Sequence, residues 1–555
     1  MKKLHILSLL LVLLATITSC KDYLEEENRS NIESDVYYAT TEGYDKLVNA
    51  SYGTLRNVYS EPWLFAAGTD LFVEGRDPQP KGISEYRDLT PEEASVENFY
   101  RNSYAAIQVC NTALYFNDKT AASSNLAFRK GEIKFLRAYY YFLLVQNFGG
   151  VALVTDRFTQ PQGSFKRNSA EEVYKFILDE MTEALGLVQD NPSEFGRISK
   201  RAIRHYLAKV HLTRGYEQFG NREDFVKAVA FADAAIAGQA LNISFENLFF
   251  PGNERNAEVL FSIQYDPASI QNPQTGGNNQ NYWFGPYMGG QGATQGYPQR
   301  AYRLVPTMYL FDTFTQQDAR FDATFMIEYY SRYYDYYDKS NERNSLNVRF
   351  YYAPKWASSA ADIAAWRAAN PTRRNNTQVI PYSAAWEASN STALDNATPA
   401  IKKFDDPKAV FGNPTSTRDI YLARLGETYL IAAEAYFKMG DNNNAALRIN
   451  EVRRRATKPG VTGGMAITPA DVNINFILDE RARELAGEYH RWFDLKRTGT
   501  LVERTRLYNR DVRNWFNRGI NPFEGNGGAL KILRPIPSRA LILNEGEFEQ
   551  NPAYR

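Results

Sequence analysis

Glu480, Glu484 and Glu488 stand one helical turn apart, the spacing that could place two carboxylates on one substrate. Glycoside hydrolysis needs only such a pair, held about 5 to 9.5 Å apart. Arg481, Arg483 and Arg491 lie among them, however, and acids a turn apart beside arginines on a helix are ordinary ion pairs. Leu478, Ala482, Leu485, Tyr489 and Trp492 run through the same segment at spacings of four and three, which marks a buried stripe. Other catalytic material is sparse. His205, His211 and His490 are the histidines outside the leader, and a spacing of six puts the first two on different helix faces. Neither a zinc pair nor a histidine-centred triad follows, and no metal or cofactor is expected. Gly149-Gly150 reads as a helix stop and not as a phosphate cradle. With 64 basic and 64 acidic residues, the chain lacks the cationic excess that nucleic acid requires.

Binding chemistry is better represented. The sequence holds 37 Tyr, 33 Phe and 7 Trp, and the tyrosines exceed what a core needs, since their hydroxyls want partners and suit half-wet grooves. Residues 278–287, Asn-Asn-Gln-Asn-Tyr-Trp-Phe-Gly-Pro-Tyr, put flat rings beside amides. Sugars present C–H faces to such rings and hydroxyls to such amides. Asn281, Tyr282, Trp283 and Tyr287, with Arg303 further along, are therefore candidate ligand contacts, and Trp63, Asp70 and Arg76 are a candidate opposing wall. Core packing or a protein interface would explain the same rings. The dense run from Tyr329 to Tyr337, with Tyr351 and Tyr352, reads as a hairpin used for packing or for a partner surface.

The elements that must carry these residues are mostly helical. Residues 45–58, 100–116, 127–148 and 170–188 show apolar spacing of three and four, and Ser169 with Glu172 forms a capping box before the last. Residues 201–237 and 421–456 look like one unit repeated: a helix with Ala208 or Ala433 reaches Gly215 or Gly440 seven residues on, and a second helix follows with Ala228 or Ala445-Ala446. That is a tetratricopeptide-style pair, although generic helical hairpins share the pattern. Residues 251–300 have no helical period and read as loop. Near the end, Pro535, Pro537 and Pro552 favour extended chain strapped across the surface.

At the start, Lys2-Lys3, the apolar run to Ile17 and Thr18-Ser19-Cys20-Lys21-Asp22 form a bacterial lipoprotein signal. Cys20 is the expected lipidation site and mature N-terminus, because its sulfur can take a diacylglycerol and its freed amine an acyl chain. Lys-Asp after the anchor resembles a surface-export signal. Cys110, in an apolar helical context, reads as a small core residue.

Together these segments resemble the SusD/RagB family of outer-membrane nutrient-binding lipoproteins. The resemblance rests on Phe135 to Val151, Leu425 to Ala435, Glu480 to Arg497 and Arg534-Pro-Ile-Pro with Gln550-Asn-Pro, in that order after the lipid signal, with Arg303 to Phe325 as a similar middle region. It implies a mostly α fold, a tetratricopeptide-like helical scaffold packed against a loop-rich ligand-binding half. It also implies a lid over a SusC-like TonB-dependent transporter, fed with oligosaccharide. The expected organisation is a signal peptide over 1–19, an anchor and acidic tether over 20–35, and one SusD-like domain over 36–555. Within that domain, repeats are expected at about 36–240 and 415–500, the loop-rich region at 241–414 and a strap at 501–555. Peptide capture and a surface glycoside hydrolase are the alternatives.

Overall fold

A computed structural model describes residues 34–266, 276–285, 303–338, 342–387, 397–408 and 415–555; Cys20, the tether to residue 33 and Tyr287 fall outside this set. The chain enters through α1 (Thr41–Val58), α2 (Ala94–Asn117), α3 (Leu126–Phe148), α4 (Ala170–Leu187), α5 (Lys200–Arg214) and α6 (Arg222–Ile236). Consecutive helices pack on one another. Their starts are fixed locally: Thr40 Oγ1 accepts from Gly43 N, and Ser169 and Glu172 close the anticipated capping box. Helix α3 is the axis of this half. Every residue from Phe135 to Phe148 is buried, the polar Arg137, Gln146 and Asn147 included, so this stretch is enclosed on all sides, and it stops where Gly149 turns to φ 72°.

The second helical group is α7 (Leu425–Lys438), α8 (Asn442–Ala456), α9 (Ile474–Leu485) and α10 (Arg491–Arg497). The pair α5/α6 and the pair α7/α8 are the two anticipated repeats, and α6 packs on α7. Their shared core contains Ala208, Ala228, Ala433, Ala445 and Ala446. Glycine is needed at the end of α5 because a side chain of α6 packs onto it: a Cβ on Gly215 would fall 2.7 Å from the Phe225 ring. The fold is thus the mostly α, tetratricopeptide-like scaffold expected from the sequence. Among the described residues no helix is long and apolar enough to cross a membrane.

Short ladders hold the loop-rich half to the helices. The strands are β1 (Phe72–Glu74), β2 (Val259–Ile263), β3 (Leu304–Pro306), β4 (Phe325–Met326), β5 (Glu328–Tyr330), β6 (Val348–Ala353), β7 (Gln378–Pro381), β8 (Ala400–Ile401) and β9 (Ile420–Arg424). Antiparallel pairs join β1 to β3, β2 to β9, β4 to β8 and β5 to β6, and β7 adds to β6 in parallel. The β2–β9 pair ties residues 259–263 to the chain entering α7.

Several expectations are corrected here. Residues 251–300 are not all loop, since they contain β2 and a one-turn helix at Gln280–Phe284. The tyrosine run does form a hairpin, with Tyr329 opposite Phe350, but it faces inward: Tyr329, Tyr330, Tyr333 and Tyr352 are buried. Tyr333 and Tyr337 both donate to Asp405 Oδ2, at 2.7 and 2.6 Å, so these two hydroxyls are spent inside the fold. The segment from residue 501 begins with helices Leu501–Tyr508 and Arg510–Asn517 before any strap. Beyond them the strap sinks into the body, where Arg534 and Ile536 are fully buried and Arg534 N donates to Asn147 O. Cys110 is a free, buried thiol whose pKa burial pushes up to about 12, as a core residue should show.

Candidate functional site

Trp283 sits on the one-turn helix Gln280–Phe284, and its position follows from what pins that turn. Asn278 exchanges backbone hydrogen bonds with Ser416, and its side chain donates to Arg418 O at 2.7 Å. At the other end Phe284 is buried against Phe72 and Phe404, with ring centres 5.2 and 5.0 Å away. Between these anchors Tyr282 and Trp283 remain half-buried.

The β1–β3 ladder supplies the opposite side. Val73 pairs with Val305, and the ladder's end places Arg303 beside Gly75, whose N donates to Arg303 O at 3.3 Å. Gln79 Nε2 donates to the same carbonyl. Arg303 N in turn donates to Trp283 O at 3.1 Å, so the backbones of the two residues are locked together. Trp63, from the one-turn helix Trp63–Ala66, closes the corner with its ring 5.2 Å from Trp283 and inclined at 55°. The Arg303 guanidinium carbon lies 5.0 Å from the Trp283 ring centre and 5.9 Å from that of Trp63. Tyr282 packs its ring 5.0 Å from Trp283. Three rings and a cation therefore meet at one partly exposed corner, and among the described residues no carboxylate forms an ion pair with Arg303. A guanidinium held against indole is stabilised by about 0.5–2 kcal/mol and keeps its donors for another acceptor.

The structure thus brings together Trp63, Tyr282, Trp283 and Arg303. Arg76 follows the same ladder end by one residue and pairs with Asp77 at 3.5 Å. Asp70 is a correction: it is fully buried, and its two oxygens are taken by Arg491 at 2.7 and 2.7 Å and by Arg504 at 2.9 Å. Burial alone would raise its pKa, but the two guanidiniums outweigh that and hold the carboxyl below its ordinary value. Asn281 is also no surface group, being only 1% exposed. Its amide nitrogen and oxygen have no hydrogen-bond partner among the described residues, a costly state for buried polar atoms. Trp63, at 4% exposure, supports Trp283 from beneath more than it forms a second wall.

The acidic segment has a different character. Glu480 meets Arg320 and Arg453 at 2.8 Å each and Arg483 at 2.5 Å. Glu484 meets Arg320 at 2.9 Å, Arg424 at 2.6 Å and also Arg455. Glu488 meets Arg424 and Lys403 at 2.6 Å each. The acids do form ion pairs, but of the neighbouring Arg481, Arg483 and Arg491 only Arg483 takes part, with Glu480; Arg481 goes to Asp494 and Arg491 to Asp70, and the other partners are long-range and mostly buried. Burial opposes ionisation of all three, but the surrounding cations prevail and hold their carboxyls below the usual range. A general acid needs the reverse shift. The histidines are likewise committed: His205 lies 3.2 Å from Glu427, and His211 lies 3.1 Å from Asp224. His490 accepts from Lys209 Nζ at 3.1 Å, and burial pushes its pKa down to about 3.

Helical pairs of tetratricopeptide type, bearing a half built of loops and short ladders with an aromatic and guanidinium corner, define the class of the molecule. The chain belongs to the SusD family, whose model matches residues 257–554. A second family model, described as starch-binding and associating with the outer membrane, matches residues 22–212. Among relatives, SusD-like protein P2 of Formosa agariphila is 24% identical over 98% of this chain and 98% of its own length. The starch-binding protein SusD of Bacteroides thetaiotaomicron is 24% identical over 77% of this chain and 73% of its own. A solved laminarin-binding SusD-like protein superposes with TM-score 0.68 at 23% identity, covering 93% of this chain and all of that one.

Proposed function

We propose that this chain is a non-catalytic, surface-exposed glycan-binding lipoprotein, anchored through Cys20, that captures oligosaccharides at the Trp283 corner and delivers them to a SusC-like TonB-dependent transporter. The observation that carries the site is the meeting of Trp283, Trp63, Tyr282 and Arg303 at a partly exposed edge, with Arg303 unpaired by any carboxylate among the described residues. The exposed part of the Trp283 ring offers a face to sugar C–H groups, and Arg303 offers donors to hydroxyls. Relatives named for binding starch and laminarin support a glycan as the ligand.

Binding without hydrolysis is supported by the state of the nearby acids. Asp70 is consumed by Arg491 and Arg504, and Glu74 by Lys81 at 3.0 Å and by the backbone N of Gln79 at 2.8 Å. Incubation of the purified protein with a polysaccharide panel tests the reading. Retention on a glycan without new reducing ends is expected; turnover abolished by a single carboxylate substitution would replace it with a hydrolase. For the partner, pull-down in mild detergent through a tagged chain should return a TonB-dependent barrel. Its absence from cells grown on the inducing nutrient would remove the delivery step. Cys20→Ala should release the protein from the outer membrane, and unchanged partitioning would contradict the anchor.

A further inference from the structure

A groove of about 390 Å³ lies apart from the Trp283 corner and shares no residue with it. Helix α1 supplies Tyr52 and Arg56, the turn after α4 supplies Phe195, Gly196 and Arg197, and the end of β2 leads into Gln264. Its volume falls within the range of small-ligand sites, roughly 300–1,000 Å³. Two features single out the Gln264 amide. Gly196 has φ +90°, and a Cβ there would fall 1.3 Å from Gln264 Nε2, so glycine alone lets this amide fold into the groove. The Gln264 side chain makes no hydrogen bond to any described residue, leaving both its donor and its acceptor free.

The charges decide what the groove suits. Arg197 is saturated, by Glu132 at 3.1 Å, Glu194 at 2.9 Å and Asn49 at 2.7 Å. Glu194 is neutralised in turn by Arg129 and Arg197, hydrogen bonds that hold its carboxyl below the ordinary range. Arg56 differs. Its Nε and Nη2 both donate to the Gln264 carbonyl, at 3.0 and 2.5 Å, and its guanidinium lies over Tyr265 at 4.7 Å. Arg255 lies over the exposed Phe195 ring at 5.1 Å. Neither arginine is within ion-pair distance of a carboxylate among the described residues. Arg56, held against the Tyr265 ring, is thus the groove-lining guanidinium without an ion pair among the described residues; the nearby Asp419 carboxylate accepts from Tyr265 N at 3.1 Å, and Arg255 stands outside the groove beside Phe195. Guanidinium matches carboxylate and sulfate oxygens through paired, charge-assisted hydrogen bonds.

We infer that this groove is a second saccharide subsite that takes a sugar bearing an anionic substituent, a carboxylate or a sulfate ester, with the anion on Arg56, hydroxyls on Gln264 and the sugar ring against Phe195. The inference rests on the glycan-binding reading but not on the Trp283 corner.

Its test uses the full mature chain carrying Trp283→Ala, titrated calorimetrically with tetragalacturonate, a sulfated carrageenan tetrasaccharide and neutral galactotetraose. At least one of the two acidic probes should bind this variant, and the one that binds identifies the anion. Adding Arg56→Met should weaken that binding about tenfold, the size expected for loss of a hydrogen bond to a charged group. Adding Phe195→Ala, at an exposed position, should weaken it without moving the melting temperature. Raising the salt concentration should weaken it as well. Failure of both acidic probes to bind, or binding unchanged by Arg56→Met and by Phe195→Ala, overturns the inference. Acidic binding that depends on Arg56, in a protein whose wild-type form ignores every neutral glycan, would sustain this subsite while sinking the Trp283 reading.

Discussion

The buried charge cluster around Glu484 and the aromatic corner around Trp283 are built from the same residue types, arginine beside aromatic or acidic partners, with opposite completeness. In the cluster each named carboxylate is met by guanidinium or ammonium groups from several elements: Glu484 alone gathers Arg320, Arg424 and Arg455. At the corner Arg303 has rings and no carboxylate among the described residues, and the buried amide of Asn281, two residues before Trp283, has no hydrogen-bond partner among them. A charge-paired network, buried even where single atoms such as Arg455 Nε and Arg483 Nε lack a hydrogen-bond partner, fixes where helices sit and presents nothing to a ligand. An incomplete one, at an edge, retains the valence that recognition uses.

Acid should separate the two regions most strongly. Asp70, Glu427, Glu480, Glu484, Glu488 and Asp494 all have folded-state pKa values below their ordinary ones, because neighbouring cations outweigh the burial that opposes ionisation. Their contribution is fully present above the unfolded values near 4 to 4.5 and is lost as pH falls through the depressed folded values. Melting temperature followed downward from pH 6 should therefore collapse cooperatively below about pH 4. A flat profile would show that the cluster adds nothing.

A smaller, local break is Glu484→Ala, which removes one carboxylate from each of Arg320, Arg424 and Arg455, leaving them their other partners, and should cost about 3–5 kcal/mol of stability in chemical denaturation. A loss under about 1 kcal/mol would mean that the cluster relaxes around the gap. Asp419 sharpens the contrast from the other side. Among the described residues it accepts from Ser262 Oγ at 3.2 Å and Tyr265 N at 3.1 Å alone, and burial pushes its pKa up to about 6. The sign is opposite to that of the cluster: between about pH 4 and 6 the folded state binds the extra proton, so this residue's contribution falls as pH rises. Asp419→Asn should therefore stabilise the protein at pH 8 by about 1–2 kcal/mol, after allowance for solvent, with the gain vanishing below pH 4. Equal melting shifts at pH 4 and pH 8 would contradict this.

Local signals made much of the scaffold readable. The Ser169 and Glu172 capping box, the stop at Gly149 and the Ala208–Gly215 and Ala433–Gly440 spacings each depend on neighbours within a turn or two, and each appears where expected. What could not be read was who meets whom across the chain. Asp70 looks like a ligand contact in the sequence because its partners Arg491 and Arg504 lie 421 and 434 residues away. The tyrosines near 333 looked available because Asp405, which takes two of their hydroxyls, lies about 70 residues on. Strand β2 carries little local signal, since its pairing comes from β9 and not from its own alternation. At the site, residue types identified Trp283, Tyr282 and Arg303, but only the ladder of β1 with β3 shows why they meet.

The most direct measurement is calorimetric titration of Trp283→Ala with the oligosaccharide that the wild type retains, beside its thermal melt. The account predicts a loss of about 1–3 kcal/mol in binding, as for an anchor residue, with the melting temperature nearly unchanged. Intact affinity, or a stability loss of about 3–5 kcal/mol as for a core tryptophan, would contradict it.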